Sequence, residues 1–111
     1  MSEASERRRA PRVRARLEAS YEDPERQVFL RVRDLSELGM FLVTEDLPEL
    51  GIRARVLLEL PGHSELLRLG GVVARQQDAP PRGFAIEFEA TSASPRAYAA
   101  LGRFVESRGA D

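Results

Sequence analysis

The stretch Gln27-Val28-Phe29-Leu30-Arg31-Val32-Arg33-Asp34-Leu35-Ser36-Glu37-Leu38-Gly39-Met40-Phe41-Leu42-Val43-Thr44 decides the fold. Val28, Leu30 and Val32 recur at a spacing of two, the period of a half-buried strand. Carried forward, that period points Asp34 and Ser36 at the core, where polar groups without partners are costly. Leu35 has the opposite parity and takes the core position if the phase flips near Arg33. A β-bulge or local twist is therefore expected there. Glu37-Leu38-Gly39 reads as a tight turn, and Met40–Thr44 as a strand that is apolar on both faces.

The same period continues on either side. Upstream, Val13, Ala15, Leu17, Ala19 and Tyr21 face one way and Arg14, Arg16, Glu18 and Ser20 the other, before a turn at Glu22-Asp23-Pro24-Glu25. Downstream, after a loop with Pro48 and Gly51, Ala54, Val56, Leu58 and Leu60 point inward and Arg53, Arg55 and Glu59 outward. Pro61-Gly62 is a type II turn signal and joins this strand to another over about 65–77. Gly70-Gly71 within it suggests a bend or bulge at a barrel corner. After a turn at Asp78-Ala79-Pro80-Pro81, Phe84, Ile86 and Phe88 alternate with outward Glu87, and Glu89 follows on that outer face. Ser94 is a good N-cap with Pro95 at the first helical position. Tyr98, Leu101 and Val105 then form an apolar stripe, with Phe104 beside it and Gly109 at the stop. Six short strands and a closing helix predict a mostly β chain: a six-stranded antiparallel β-barrel with a C-terminal α-helix over one opening.

Composition narrows the chemistry. The chain has 111 residues, enough for one core, and 42% are hydrophobic. It has no cysteine and one histidine, His63, which excludes disulfide frameworks, thiolate metal sites and multi-histidine metal sites. No apolar run approaches about 18 residues, so a soluble, cytoplasmic protein without membrane insertion is expected. His63-Ser64 sits in a turn, and adjacent residues do not readily give a base-to-hydroxyl geometry. Glu87 and Glu89 alternate with core positions, as a solvated strand face does. No Gly-rich phosphate loop follows a strand. Nothing assembles a catalytic site, so no enzyme activity is expected.

Charge is unevenly placed. Residues 1–16 carry six arginines against two glutamates, whereas the rest carries eleven arginines against sixteen acids. Residues 1–12 are therefore expected to be a mobile basic arm with an anionic partner, and residues 13–111 the barrel, with its helix from about 94. All 17 basic residues are arginine, whose planar fork offers bidentate donors that lysine lacks.

Two motifs stand out: Arg8-x-x-x-Arg12 on the arm and Asp34-x-Ser36-x-x-Gly39 at a strand end. An arginine run alone is usually a solvated tail. Asp and Ser beside a Gly turn alone usually satisfy local backbone groups. In this order, about twenty residues apart and inside a six-stranded pattern with a closing helix, they resemble the bacterial PilZ family. The likeness extends to the Pro61-Gly62 turn and to Gly83–Phe88. Leu38 stands where a second glycine is common, and Arg82-Gly83 replaces the small or apolar pair often seen before the last strand.

The resemblance implies a cyclic di-GMP receptor or adaptor without a cofactor. Its ligand residues would be Arg8, Arg12, Asp34, Ser36 and Gly39, with Arg7 and Arg9 as further candidates. It also implies a protein effector in motility, surface attachment or exopolysaccharide control. The residue chemistry agrees. Guanine presents O6 and N7 as adjacent acceptors that a guanidinium meets bidentately, arginine also matches phosphate oxygens, and a carboxylate accepts from guanine's opposite N–H edge. Ligand binding would clamp the arginine arm onto the barrel and alter a surface shown to the effector. Two other readings remain: a degenerate PilZ-like module that binds only protein, and a small barrel that binds nucleic acid through its arm. The acidic body and few aromatics argue against nucleic acid as a partner.

Overall fold

The computed structural model describes residues 12–62, 66–89 and 94–109. Six strands appear in order: β1 (Val13–Asp23), β2 (Arg26–Leu35), β3 (Gly39–Val43), β4 (Arg53–Glu59), β5 (Leu66–Gln77) and β6 (Gly83–Phe88). A helix, α1 (Pro95–Gly109), follows. Every pairing is antiparallel, and the strands close in the order β1-β2-β3-β6-β5-β4. Closure leaves no unpaired sheet edge. The mostly β, six-stranded barrel with a C-terminal helix is thus the fold adopted.

Alternation fills the interior. Ala54, Val56 and Leu58 of β4 and Phe84, Ile86 and Phe88 of β6 are buried at the positions their period assigns. They meet Ala19, Tyr21, Val32, Leu35, Met40, Leu42, Leu67, Leu69 and Val73 in one cluster. The phase flip near Arg33 is present. Val32 pairs with Leu42 and Asp34 with Phe41, leaving Arg33 as the extra residue of a bulge. Leu35 consequently turns inward and is fully buried.

The bulge expected at Gly70-Gly71 lies elsewhere. Gly71 and Gly70 stay in register with Ala54 and Arg55, whereas the β5–β6 register shifts between Val73 and Arg75. Gly71 has a different use: a Cβ there would lie 2.1 Å from the Glu87 carbonyl oxygen, so the close approach of β6 demands glycine.

Helix α1 begins as its cap predicts, the Ala97 N–H donating to Ser94 Oγ at 3.1 Å. Its buried Ala97, Ala100, Leu101 and Val105 join the barrel core. A Cβ on Gly102 would come within 2.5 Å of Glu37 Oε1, so the helix lies at the barrel end that carries the β2–β3 turn.

One buried carboxylate escapes sequence reading. Asp23, expected in a turn, is only 8% accessible. Its Oδ2 accepts from the Tyr21 hydroxyl at 2.6 Å, and its Oδ1 from the Glu25 and Arg26 N–H groups at 2.7 and 3.0 Å. Burial pushes the Asp23 carboxyl upward, but the Tyr21 and Glu25 hydrogen bonds, the Arg26 charge and the Arg26 N–H outweigh it and hold it below the usual range. Burial, and secondarily the Asp23 hydrogen bond and charge, push the Tyr21 phenol up.

A carboxylate depressed in the folded state stabilises at pH values above its unfolded range, and that contribution fades as pH falls through the folded value. Asp23→Ala should cost about 3 kcal/mol at neutral pH, because it leaves a buried hydroxyl and two N–H groups without an acceptor. Thermal melts should show the gap between wild type and Asp23→Ala narrowing below about pH 4. A gap that does not change with pH would refute the role.

Candidate functional site

The β2–β3 turn builds its own geometry. The Ser36 N–H donates to the Gly39 carbonyl at 2.9 Å. Ser36 Oγ accepts from the Leu38 and Gly39 N–H groups at 3.1 and 3.2 Å and donates to the Gly39 carbonyl at 3.4 Å. Ser36 is 1% accessible, so its hydroxyl is committed to the turn. Gly39 is also buried, and a Cβ there would lie 2.1 Å from the Ile86 carbonyl oxygen. The Phe88 N–H donates to the Leu38 carbonyl at 2.8 Å and ties the turn to β6. Removing the Ser36 hydroxyl strands two backbone donors. Ser36→Ala should therefore lower stability by about 1–2 kcal/mol in denaturant melts.

Asp34 stands at the end of this turn. Having left the core through the Arg33 bulge, its side chain keeps 20% accessibility and meets the Arg12 guanidinium, itself 46% accessible. This ion pair joins the two motifs across 22 positions of sequence. Arg7, Arg8 and Arg9 lie outside the described residues.

Asp34 belongs to a continuous outer row. Arg14 pairs with Asp34, Asp34 with Phe41, Phe41 with Ala85, and Ala85 with Arg75, so the row crosses β1, β2, β3, β6 and β5. Phe41 has the opposite parity to Met40 and Leu42 and stands outside the core cluster, yet it is 1% accessible. Its cover comes from outside the barrel: the guanidinium carbons of Arg33 and Arg75 lie 5.5 and 5.8 Å from the ring centroid. Gly83 makes room for the ring, since a Cβ there would come 2.7 Å from Phe41 Cε1. Sequence reading missed this arrangement. Its visible traces were the two-sided apolar β3 and the small Gly83 and Ala85.

A groove of about 730 Å³ lies on the opposite side, over β1, β4 and β5, and is lined by Ser20, Glu22, Arg53, Arg55, Arg68 and Glu89 among others. Two of its arginines are already neutralised, Arg53 by Glu89 at 2.7 Å and Arg55 by Glu22 at 3.0 Å. On and beside the Asp34 row stand Arg12, Arg14, Arg33 and Arg75, of which Arg12 is paired with Asp34. For an anionic ligand, guanidinium charge without a carboxylate partner is the stronger attraction, which favours the row as the candidate site. Among the described residues, no group of His, Cys, Asp and Glu could hold a metal ion.

The sequence model of the PilZ domain matches residues 6–107, which takes in both motifs and the barrel. The chain belongs to the PilZ family. Solved PilZ-family structures share the fold. The Bacillus subtilis inhibitor of motility, MotI/DgrA, superposes with a TM-score of 0.80 at 20% identity, covering 93% of this chain and 51% of that one. This PilZ chain thus spans about half the length of that neighbour. The PilZ domain of YcgR from Escherichia coli, solved with c-di-GMP, gives a TM-score of 0.68 at 18% identity over 94% of this chain and 92% of that one. Among curated proteins, none matches significantly.

Proposed function

We propose that this PilZ domain is a cyclic di-GMP receptor that acts as an adaptor rather than a catalyst. The observation that carries the reading is the Arg12–Asp34 ion pair, which puts one member of each motif at the same point of the barrel surface. Arg12 and Arg8 take the phosphates and a guanine acceptor edge, with Arg7 and Arg9 adding charge. Asp34 accepts from the guanine N–H edge. Ser36 and Gly39 hold Asp34 in place by fixing the turn beneath it. In the free protein Arg12 occupies the Asp34 carboxylate, so ligand binding exchanges that contact for contacts with base and phosphate.

The arm, residues 1–12, closes over the outer row as the ligand neutralises its arginines, and the altered surface is what an effector reads. Neighbours that include an inhibitor of motility support an effector in motility, with attachment or exopolysaccharide control as related outputs. The cytoplasm, where a diffusible nucleotide signal is met, is the proposed location.

Calorimetric titration of the wild-type chain with cyclic di-GMP tests the reading. Saturable heat at micromolar or lower dissociation constant is the expected result. No heat, with an effector still captured, would favour the protein-only adaptor instead.

A further inference from the structure

Phe41 is buried on the outer face of the barrel, apart from the main core cluster. Burying a phenylalanine on an outer face takes two arginines that could otherwise extend into water. Neither Arg33 nor Arg75 meets a carboxylate among the described residues. Each is instead set on the same ring. Arg33 is aimed there by the β2 bulge, which leaves it unpaired against β3. Arg75 reaches Phe41 by crossing β6 at Ala85, a side chain short enough to pass over. A long arginine normally loses rotamer freedom on binding a ligand. Packing against an aromatic ring removes much of that freedom beforehand.

We infer that Arg33 and Arg75, positioned by Phe41, are a second guanidinium station of the same site and receive one guanine base of the cyclic dinucleotide. This rests on the function proposed above. Neighbouring strands lie about 4.8 Å apart, so the Phe41 ring stands one strand from Asp34, within the span of a molecule carrying two bases. A guanidinium set against an aromatic ring leaves its other face open for a base to stack on and its edge N–H groups free for O6 and N7. Adenine offers a donor where guanine has O6, and a guanidinium has no acceptor to meet it. The station therefore selects guanine over adenine. Phe41 is a positioning residue, and Arg33 and Arg75 are the contacting ones.

The experiment compares wild type, the double variant Arg33→Met/Arg75→Met, Phe41→Leu and Asp34→Ala, each titrated with cyclic di-GMP and with cyclic di-AMP. Methionine keeps an apolar stem over the ring without the donors. The double variant should bind cyclic di-GMP about 10- to 100-fold more weakly and lose most of its guanine preference, as expected for a lost bidentate base contact. Phe41→Leu should fall between it and the wild type, with unchanged far-ultraviolet circular dichroism. Wild-type affinity and preference in the double variant, with binding still lost in Asp34→Ala, would overturn this station alone. Absence of binding by the wild type would overturn the receptor reading and the station with it.

Discussion

Asp34→Ala should weaken cyclic di-GMP binding by on the order of 100-fold in calorimetric titration, and Arg12→Ala by a similar factor. The two side chains form one ion pair on the outer face of the barrel. In the bound state each is expected to make a charge-assisted hydrogen bond to the ligand, and such bonds are worth roughly twice a neutral one. A loss of about 2.7 kcal/mol corresponds to a hundredfold change. Both side chains keep solvent access, so their removal should leave the melting temperature within a few degrees of wild type. The double variant should be less than additive, because the residues share a contact. Full-strength binding by either single variant would remove the site from this face.

The second large effect is structural and falls on a motif residue. Gly39→Ala should lower the melting temperature by more than about 10 °C or prevent folding, a cost of about 3 kcal/mol or more. The Cβ would be placed 2.1 Å from the Ile86 carbonyl oxygen, and that oxygen belongs to a paired strand that cannot step aside. The glycine is therefore required by the approach of β3 to β6, whether or not a ligand is present. Gly62 provides the contrast. Its φ of 81° favours glycine, yet a Cβ would meet nothing within 4 Å, so Gly62→Ala should cost only about 1 kcal/mol. Thermal melts of the two variants side by side would separate crowding from backbone conformation. Equal losses would contradict the assignment.

These two predictions divide the second motif by physical role. Asp34 is the member with solvent access and charge. Ser36 and Gly39 are the members whose polar atoms and missing side chain fold the turn. A substitution at Ser36 or Gly39 that reduces ligand binding does so largely by releasing Asp34 from its place. Stability and affinity should then fall together at these positions and separately at Asp34.

Much of this was legible from local pattern. Alternation marked the inward faces of β4 and β6 because their apolar residues recur at the strand period, although in β6 the outer Gly83 and Ala85 are buried as well. The flip near Arg33 was legible because the alternative buried Asp34. The Ser94-Pro95 signal marked the helix start because capping is settled within one turn of chain.

What escaped depends on which strands become neighbours. The register shift at Val73–Arg75 arises from how β5 follows β6, and no residue within β5 announces it. Met40–Thr44 read as a strand apolar on both faces, which left open what surrounds Phe41. Only the β3–β6 pairing shows Gly83 and Ala85 opening space for its ring on the outside. Asp23 looked like a turn residue because its partner, Tyr21, is an inward side chain two positions earlier. That spacing places both on the same side of a strand. A tyrosine followed two residues later by an aspartate before a proline turn was the available signal.

The neighbours sharpen the electrostatic point. They share the fold at 18–20% identity, which leaves the surface chemistry to be argued from this chain's own residues. Here Arg53 and Arg55 of the β1–β4–β5 groove are paired with Glu89 and Glu22, whereas Arg33 and Arg75 beside the Asp34 row meet no carboxylate among the described residues.

Backbone amide chemical shifts, followed by NMR as cyclic di-GMP is added to the wild-type chain, place the ligand most directly. Saturating shifts are expected at Arg12, Asp34, Phe41 and Arg75, with Ser20, Leu57 and Arg68 of the opposite groove unmoved. Shifts confined to that groove, or none at all, would contradict this placement.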